Sequence, residues 1–349
     1  MREENTPVDT SLAELAELQR ILETAPAQVE HRTVLTVSTG GERFCVPVIS
    51  MGVRDPAAPA VGFFGGVHGL ERIGSGVVLA CLRMLVARMA WDVSLQRLLE
   101  GLSVVFMPVV NPGGMWRGTR ANPRGVDLMR NAPVECASGA PFLLRGQRIS
   151  AGLPWFRGAL GEPMEAEAQA LCDVVQTELL SHRFSMSVDC HSGFGLVDRL
   201  WFPHAHTVQP VQHLADYAAL SDLLDHSLIH HRYVFEPQSR HYLAHGDLWD
   251  HLYAQSLAEP TRDFLPLTLE MGSWLWVKKN PRQAFSRRGI FNPQIAHRQQ
   301  RVLRRHMALL DFCLRAAASH ERWRPAAEER ASRFQAGVDR WFAAPGTSP

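Results

Sequence analysis

The sequence predicts an α/β protein, a single large domain whose helices flank a mixed, mostly parallel central sheet. Two observations support this fold class. Short apolar segments typical of buried strands alternate with longer segments of helical periodicity. Several apolar segments end at polar, glycine-rich turns, as strands do where an open α/β sheet forms its ligand site. We expect the domain over 31–320, with an N-terminal helical extension over 1–30 and a C-terminal helical tail over 321–349.

The individual elements follow in order along the chain. Residues 11–24 carry leucine and isoleucine at helical spacing and predict the N-terminal helix. Two alternating segments separated by Gly40 and Gly41 predict a β-hairpin. The apolar segment ending at Val67 predicts a buried strand, followed by the helix SGVVLACLRMLVARMA. Three later segments, LSVVFMPVV, FSMSVDC and FLPLTLEMG, predict further strands, and MEAEAQALCDVVQTELL and VLRRHMALLDFCLRAA predict further helices.

Composition excludes several classes of partner. The net charge of +1 gives no reason to expect nucleic acid or an anionic membrane as a partner. No apolar stretch approaches the roughly 18–20 residues that span a bilayer. The six cysteines are scattered without a CxxC pair, and the first ten residues lack the pattern of a signal peptide, so we expect a cytoplasmic protein. The oligomeric state does not follow from the sequence.

Two strand ends carry possible zinc ligands. His68 and Glu71 form an HxxE pair after one predicted strand, and His191 follows another. Catalytic zinc sites use three protein ligands and keep one position for water. An HxxE pair alone is common by chance, so the wider context decides. Glu270 ends a fourth apolar strand, where burying an unpaired carboxylate is costly, and this indicates a functional acid.

Five motifs extend this context: GGVHGLE, NP followed by WRGTR, GVDLMRN, SVDCHSG and LTLEMG occur in one order over residues 60–275. In this order they resemble the zinc metallocarboxypeptidases, a family that includes the pancreatic digestive enzymes and bacterial amide hydrolases related to succinylglutamate desuccinylase and aspartoacylase. The resemblance implies a zinc carboxypeptidase-like fold and one Zn²⁺ ion bound by His68, Glu71 and His191. It further implies that Glu270 is the general base toward a zinc-activated water.

The same resemblance implies roles around the metal and the scissile bond. Asp127 would hydrogen-bond the first zinc histidine and fix its tautomer. Arg117 would stabilise the oxyanion of the tetrahedral intermediate. Tyr242 would close over the substrate. Asp189, two residues before His191, could support that histidine or be an ordinary acid at a strand end.

The substrate-binding residues follow from the resemblance in the same way. Arg130 would grip the terminal carboxylate of the substrate, with Asn131 beside it. Leu248 or Asp247 would lie near the pocket for the substrate side chain, Leu248 favouring apolar substrates and Asp247 basic ones. The sequence also departs from the family pattern, because Met129 stands where the family has asparagine.

Further departures at Leu70 and Gly193 disfavour a digestive carboxypeptidase and leave three functions open. The first is a carboxypeptidase that hydrolyses the C-terminal peptide bond of a peptide. The second is an amidohydrolase that cleaves an N-acyl amino acid. The third is a non-catalytic zinc-binding or ligand-binding protein, which the retention of Glu270 argues against. The expected partner is therefore a peptide or acylated amino-acid substrate.

Three features remain outside the motifs. His204 and His206 form an HxH pair with a spacing used by some metal-dependent amidohydrolases, although Pro203 weakens the strand prediction there. The long segment 132–163, rich in glycine, proline and arginine, predicts a loop that covers the substrate. The basic segment 278–305 indicates a solvated face or a contact for an acidic substrate.

Overall fold

The computed structural model describes residues 12–136 and 145–343. Within these residues an eight-stranded sheet has the order β1-β2-β4-β3-β5-β8-β6-β7. Its strands are β1 (Glu30–Thr39), β2 (Glu42–Gly52), β3 (Ala60–Gly65), β4 (Ser103–Met107), β5 (Phe184–Ser192), β6 (Arg199–Phe202), β7 (Val234–Pro237) and β8 (Asp263–Met271).

Helices cover both faces of this sheet. They are α1 (Ala13–Glu23), α2 (Arg72–Met89), α3 (Val93–Leu99), α4 (Pro112–Arg117), α5 (Ala166–Glu178), α6 (Leu214–Ser227), α7 (Leu248–Ser256), α8 (Trp274–Lys279), α9 (Arg287–Phe291), α10 (Ala296–Ala318), α11 (His320–Trp323) and α12 (Arg330–Trp341). Short 3₁₀ turns occupy Leu128–Arg130, Gln238–Arg240 and Pro281–Phe285.

Parallel pairs form the centre of the sheet. Strand β3 pairs in parallel with β4 and β5, β5 with β8, and β6 with β7. The antiparallel pairs are β1 with β2, β2 with β4, and β6 with β8. The predicted fold class, a single domain with a mixed, mostly parallel sheet flanked by helices, is confirmed. The carboxyl ends of β3, β5 and β8 are neighbours, which brings the residues that follow them together.

Side-chain alternation along the strands divides the core into two layers. On β3, Val61 and Phe63 join one apolar cluster with α2, α6 and α10, whereas Ala60 and Phe64 join the other with α5 and α7. Helix α2 approaches β5 so closely that a Cβ atom at Gly74 would collide with the carbonyl oxygen of Cys190. A glycine is therefore required where the helix after the HxxE pair crosses the central strand.

The two chain ends also pack on the domain. Helix α1 buries Leu18 and Ile21 in the same cluster as α2. Helix α12 packs against α6, where Gly337 lies directly over Leu214. The predicted boundaries at residues 30 and 320 stay predictions.

In the part of the chain that the structure describes, no single helix has both the length and the apolar character needed to cross a membrane. Helices α2 and α3 meet that requirement only as a pair, by length and composition, with a bend of 110° between them.

Candidate functional site

The three predicted zinc ligands converge beside the carboxyl ends of β3 and β5. His68 Nδ1 lies 2.9 Å from Glu71 Oε1 and 3.2 Å from His191 Nδ1. His191 Nδ1 in turn lies 3.1 Å from Glu71 Oε2. All three side chains are buried. One nitrogen of each imidazole and the carboxylate therefore face a common point, as the donors of a three-ligand zinc site do.

A carboxylate holds the outward nitrogen of each histidine. Asp127 Oδ1 lies 3.0 Å from His68 Nε2, and Asp189 Oδ2 lies 2.6 Å from His191 Nε2. Trp249 Nε1 donates a hydrogen bond of 2.9 Å to the same Asp189 oxygen. Partners of this kind fix the tautomer and the orientation of metal-binding histidines. The Nδ1 atom of each imidazole is thus left free to act as the ligand.

The electrostatics of the cluster favour a cation. Burial raises the pKa of Glu71, but His68 and His191 outweigh burial and hold that pKa well below its usual value. Burial lowers the pKa of His191, but Asp189 and Glu71 outweigh it and raise the pKa well above its usual value. The carboxylates therefore stabilise positive charge at the point where the donors meet. The donor set, its burial and its charge all fit a zinc ion.

Glu270 is positioned by the sheet itself. Strand β8 runs parallel to β5, and in their register Glu270 is the Cα partner of His191. The backbone N–H of Phe194 donates a hydrogen bond of 3.0 Å to Glu270 Oε1. Burial, and then the negative charge of Glu71, raise the pKa of Glu270 to about 8. A carboxyl group of this kind can accept and return a proton near neutral pH.

The structure does not place Arg117 in the pocket, which corrects its predicted role. Arg117 Nε donates to Thr39 Oγ1 at 2.8 Å, and its Nη1 donates to the Pro123 carbonyl at 2.8 Å. Arg117 is the last residue of α4, and Gly118 follows with a left-handed φ of 64°. Helix α4 ends at this glycine, and the chain after it runs in a different direction. Arg117 therefore faces the β1 side, whereas Arg120 lines the pocket.

Arg120 is the arginine that contacts the ligand cluster. Its Nη1 lies 3.1 Å from Glu71 Oε1, and its Nε donates to Asp127 Oδ2 at 2.8 Å. Burial lowers the pKa of Arg120, but Asp127 and Glu71 outweigh burial and raise that pKa above its usual value, so the guanidinium stays charged. The position of Arg120 suits it to stabilise negative charge that develops beside the metal. Arg120 is the last residue of the WRGTR motif, three residues after Arg117.

Arg130 lines the same pocket and is 4% exposed. Its Nη1 donates to the Met129 carbonyl at 3.1 Å and lies 4.0 Å from Asp247 Oδ2. Its guanidinium carbon lies 5.8 Å from the centroid of the Tyr242 ring. Among the described residues, Arg130 Nε and Asp247 Oδ2 are buried with no hydrogen-bond partner. A guanidinium with an unused donor is suited to bind a substrate carboxylate.

The structure places Leu248 in the core and so corrects its predicted role in substrate binding. Leu248 has no exposed surface and packs in the apolar cluster with Leu252. Its neighbour Asp247 lines the pocket instead. Asp247 is the N-cap of α7, where its Oδ1 accepts from the backbone N–H groups of Trp249 and Asp250. Of the two predicted alternatives, the pocket thus contains the acid rather than the leucine.

Asn131 is likewise absent from the described pocket lining, although it was predicted to bind substrate. Its Oδ1 accepts a hydrogen bond of 2.6 Å from the backbone N–H of Glu165, and its Nδ2 donates to the Arg157 carbonyl at 3.0 Å. Asn131 therefore forms hydrogen bonds with the long segment that follows it and fixes that segment in position. In that segment Trp155 lines the pocket, while residues 137–144 lie outside the described part of the chain.

The basic segment contributes to the site through Phe291 and Asn292. Phe291 lines the pocket, and its carbonyl accepts a hydrogen bond of 2.8 Å from Ser192 Oγ. Asn292 Nδ2 donates to the Leu70 carbonyl at 2.7 Å, and its Oδ1 accepts from the backbone N–H of Ile73 at 2.9 Å. Asn292 therefore holds the turn that carries Glu71. The two Asn292 contacts each span more than 200 residues, and no local pattern in the sequence indicates them.

The cluster and Arg130 share one cavity of about 380 Å³. Six phenylalanine, tyrosine and tryptophan rings line its wall. The lining residues beyond the ligand cluster are Arg120, Met129, Arg130, Trp155, Ser192, Gly193, Phe194, Trp201, Gln238, Tyr242, Asp247, Thr268, Glu270, Trp274 and Phe291. A cavity of this size and composition suits a small ligand with an apolar portion and a few fixed polar groups.

Solved structures that share the fold include the following two. Thrombin activatable fibrinolysis inhibitor aligns with a TM-score of 0.63 at 17% identity, covering 86% of this chain and 72% of that chain. Carboxypeptidase A from Helicoverpa armigera aligns with a TM-score of 0.59 at 16% identity, covering 91% of this chain and 73% of that chain. At these identities the likeness establishes the fold alone.

Sequence comparison extends the relationship. The inactive metallocarboxypeptidase ECM14 of Arthroderma otae is 26% identical over 202 residues, which is 51% of this chain. The match covers 32% of that relative, so this chain spans about a third of its length. The sequence model of the zinc carboxypeptidases matches residues 15–271, a range that contains the ligand cluster and Glu270. The chain therefore belongs to the zinc carboxypeptidase family.

Proposed function

We propose that this protein is a zinc-dependent carboxypeptidase that hydrolyses the C-terminal peptide bond of a peptide, with Glu270 as the general base. The observation that carries the proposal is that one cavity contains the ligand cluster, Glu270 and Arg130. A C-terminal residue has a carboxylate next to its scissile bond. In the cavity, the guanidinium of Arg130 can bind that carboxylate, and Glu270 can act at the scissile bond.

Arg130 binds the terminal carboxylate in this proposal. Its guanidinium is held in place by the Met129 carbonyl and lies near the Tyr242 ring, while its Nε has no partner among the described residues. A bound carboxylate would satisfy that donor. Fixing this end of the substrate orients the scissile bond toward Glu270, and such positioning lowers the activation barrier.

Glu270 moves the proton. A zinc ion at His68, Glu71 and His191 would act as a Lewis acid that polarises the scissile carbonyl and makes a water molecule acidic near neutral pH. Glu270 Oε1 is held by the Phe194 backbone N–H, which orients the carboxyl in the pocket. Glu270 takes the proton from the attacking water and transfers it to the leaving amine. Arg120 stabilises the negative charge that develops on the carbonyl oxygen.

A substrate panel tests this proposal. Purified zinc-loaded protein would be offered N-blocked dipeptides with apolar, acidic or basic C-terminal residues, and the same dipeptides as C-terminal amides. N-acetyl and N-succinyl amino acids would form a third set. We expect release of the C-terminal residue from the free acids and none from the amides, because the amides lack the carboxylate for Arg130.

Each other result identifies another function. Release of amino acid from the N-acyl amino acids alone would replace the carboxypeptidase by an N-acyl amino acid hydrolase. If the zinc-loaded protein cleaves no substrate of any set, the protein binds zinc without catalysing hydrolysis. A mock preparation from cells that do not express the chain is the control, because cleavage in that preparation comes from a contaminating peptidase.

A further inference from the structure

A second group of metal-binding side chains lies outside the cluster described above. His204 and His206 follow β6, on either side of the buried Ala205, and Asp250 projects from α7. Each of the two histidines and Asp250 offers one ligand atom, and the three atoms lie within 4.8 Å of one another. The imidazole centroids are 4.8 Å apart, with the rings inclined at 71°. This is the HxH pair that the sequence singled out.

Asp250 is oriented by its surroundings. Its Oδ2 accepts hydrogen bonds of 2.8 Å from the backbone N–H groups of Ala205 and His206, and His206 Nδ1 lies 2.6 Å from the same oxygen. The Asp250 side chain is 1% exposed, while those of His204 and His206 are 16% and 26% exposed. The carboxylate is therefore fixed in the interior, and the histidines form an edge that an ion can reach from solvent.

His204 is the residue that a purely structural role leaves unexplained. Its Nδ1 is buried and has no hydrogen-bond partner among the described residues. It lies 3.9 Å from Asp250 Oδ1, which is too long for a hydrogen bond. Two ligands of one zinc ion, each about 2.0–2.1 Å from the metal, lie roughly 3.4 Å apart in tetrahedral geometry. An ion between His204 Nδ1 and Asp250 Oδ1 would give the nitrogen the partner that it lacks.

We propose that His204, His206 and Asp250 bind a second divalent transition-metal ion, separate from the ion of the catalytic cluster. Two imidazoles and one carboxylate are a donor set that zinc and its neighbours in the first transition row accept. The ion would join the chain after β6 to helix α7. Asp247, one turn before Asp250 on that helix start, lines the substrate pocket. The second ion would therefore brace the pocket wall that contains Asp247.

Metal stoichiometry tests the proposal. The full chain would be loaded with Zn²⁺, dialysed against metal-free buffer and analysed by inductively coupled plasma mass spectrometry. We expect two zinc ions per chain in the unchanged protein and one in each of His191→Ala and His204→Ala. The combined variant should hold none. His251→Ala is the matched control, because His251 lies on α7 beside Asp250 and pairs with Gln255 instead.

The unchanged protein and His191→Ala decide the question even where variants at the second group fail to fold. One zinc ion per chain in the unchanged protein, with none in His191→Ala, would overturn the proposal. Co²⁺ gives an independent measurement, since His191→Ala protein loaded with Co²⁺ should keep visible d–d absorption from the second site. Loss of all such absorption in that variant would also overturn it.

Discussion

The two ends of the pocket differ in how their polar groups are satisfied. At the metal end, Asp127 and Asp189 hold the outward nitrogens of the two ligand histidines, and the Ser192 backbone N–H donates to Glu71. At the substrate end, Arg130 Nε and Asp247 Oδ2 are buried without partners among the described residues. A buried polar group without a partner costs about 1–3 kcal/mol. At the metal end Asp189 Oδ1 is also buried without a partner among the described residues, but each ligand side chain there is held by a neighbouring group.

At the metal end the protein itself supplies the hydrogen-bond partners of the ligand side chains, whereas at the substrate end a bound molecule would have to supply some of them. The metal end is organised before any substrate arrives, because side chains and backbone groups already fix its donors. At the substrate end Arg130 Nε needs an acceptor and Asp247 Oδ2 needs a donor, and in our proposal the substrate carboxylate is the acceptor for Arg130. Trp201, whose Nε1 is also buried without a partner among the described residues, lines the same cavity. Changes at the metal end should therefore alter metal binding and chemistry, and changes at the substrate end should alter selectivity.

The largest expected effect comes from Glu270→Gln. Glutamine keeps an oxygen that can accept from the Phe194 N–H but cannot take up a proton from water. We expect kcat for the best substrate of the panel to fall by about 10³-fold, with zinc content unchanged in elemental analysis. Activity near that of the unchanged protein in a variant that retains its zinc would remove Glu270 from the role of base.

Arg120→Ala and Arg117→Ala form the next test, as a matched pair. Arg120 contacts Glu71 and Asp127, whereas Arg117 contacts Thr39 and Pro123. Loss of an oxyanion-stabilising group costs about 10²–10³-fold in kcat. We expect a loss of that order for Arg120→Ala and little change for Arg117→Ala in steady-state kinetics. The reverse pattern would restore the role that the family resemblance gave to Arg117.

Asp127→Asn tests whether the hydrogen bond from His68 to Asp127 contributes to metal binding. The substitution keeps the shape of the side chain but weakens its hold on His68 Nε2 and removes the charge beside Arg120. We expect zinc affinity to fall by about 10–100-fold, as measured by competition with a chelator. Asp173→Asn on the exposed side of α5 is the control, and equal zinc affinity in all three proteins would contradict the supporting role of Asp127.

The smallest expected effect belongs to the substrate end. Asp247→Asn keeps the Oδ1 atom that caps α7. Burial, and then Asp250, raise the pKa of Asp247 to about 7, so at pH 8 the substitution removes a negative charge that faces the cavity. We expect the ratio of kcat/KM for substrates with C-terminal lysine over those with C-terminal phenylalanine to fall by about tenfold, since one charge pair is worth about that factor. An unchanged ratio would show that Asp247 serves only as the N-cap of α7 and as a neighbour of Arg130.

The fold and the metal end could be predicted from the sequence because both depend on local patterns. Apolar runs that end at glycine-rich turns give the strands, and residues at the ends of adjacent parallel strands must be neighbours. Arg117 and Leu248 lie outside the described pocket lining for a different reason. A left-handed turn at Gly118 separates Arg117 from Arg120. Helix α7 starts between Asp247 and Leu248, and this places Asp247 at the cavity and Leu248 in the core.

Long-range contacts limited the prediction further. Asn292 braces the turn before Glu71, and Phe291 and Trp155 reach the cavity from distant segments. Such contacts depend on how loops fold back over the sheet, which no periodicity in the sequence encodes. The substrate end depends on such loops, so the sequence motifs predicted it least well.

The register of β5 and β8 has a consequence for how this domain can diverge. His191 and Glu270 face each other across two paired strands, so backbone hydrogen bonds hold their Cα atoms about one strand spacing, roughly 4.8 Å, apart. Mutations in loops cannot change that separation without breaking the sheet. Descendants of this chain could therefore exchange the residues around Arg130, Trp155 and Asp247 for others while inheriting the spacing of His191 and Glu270 intact.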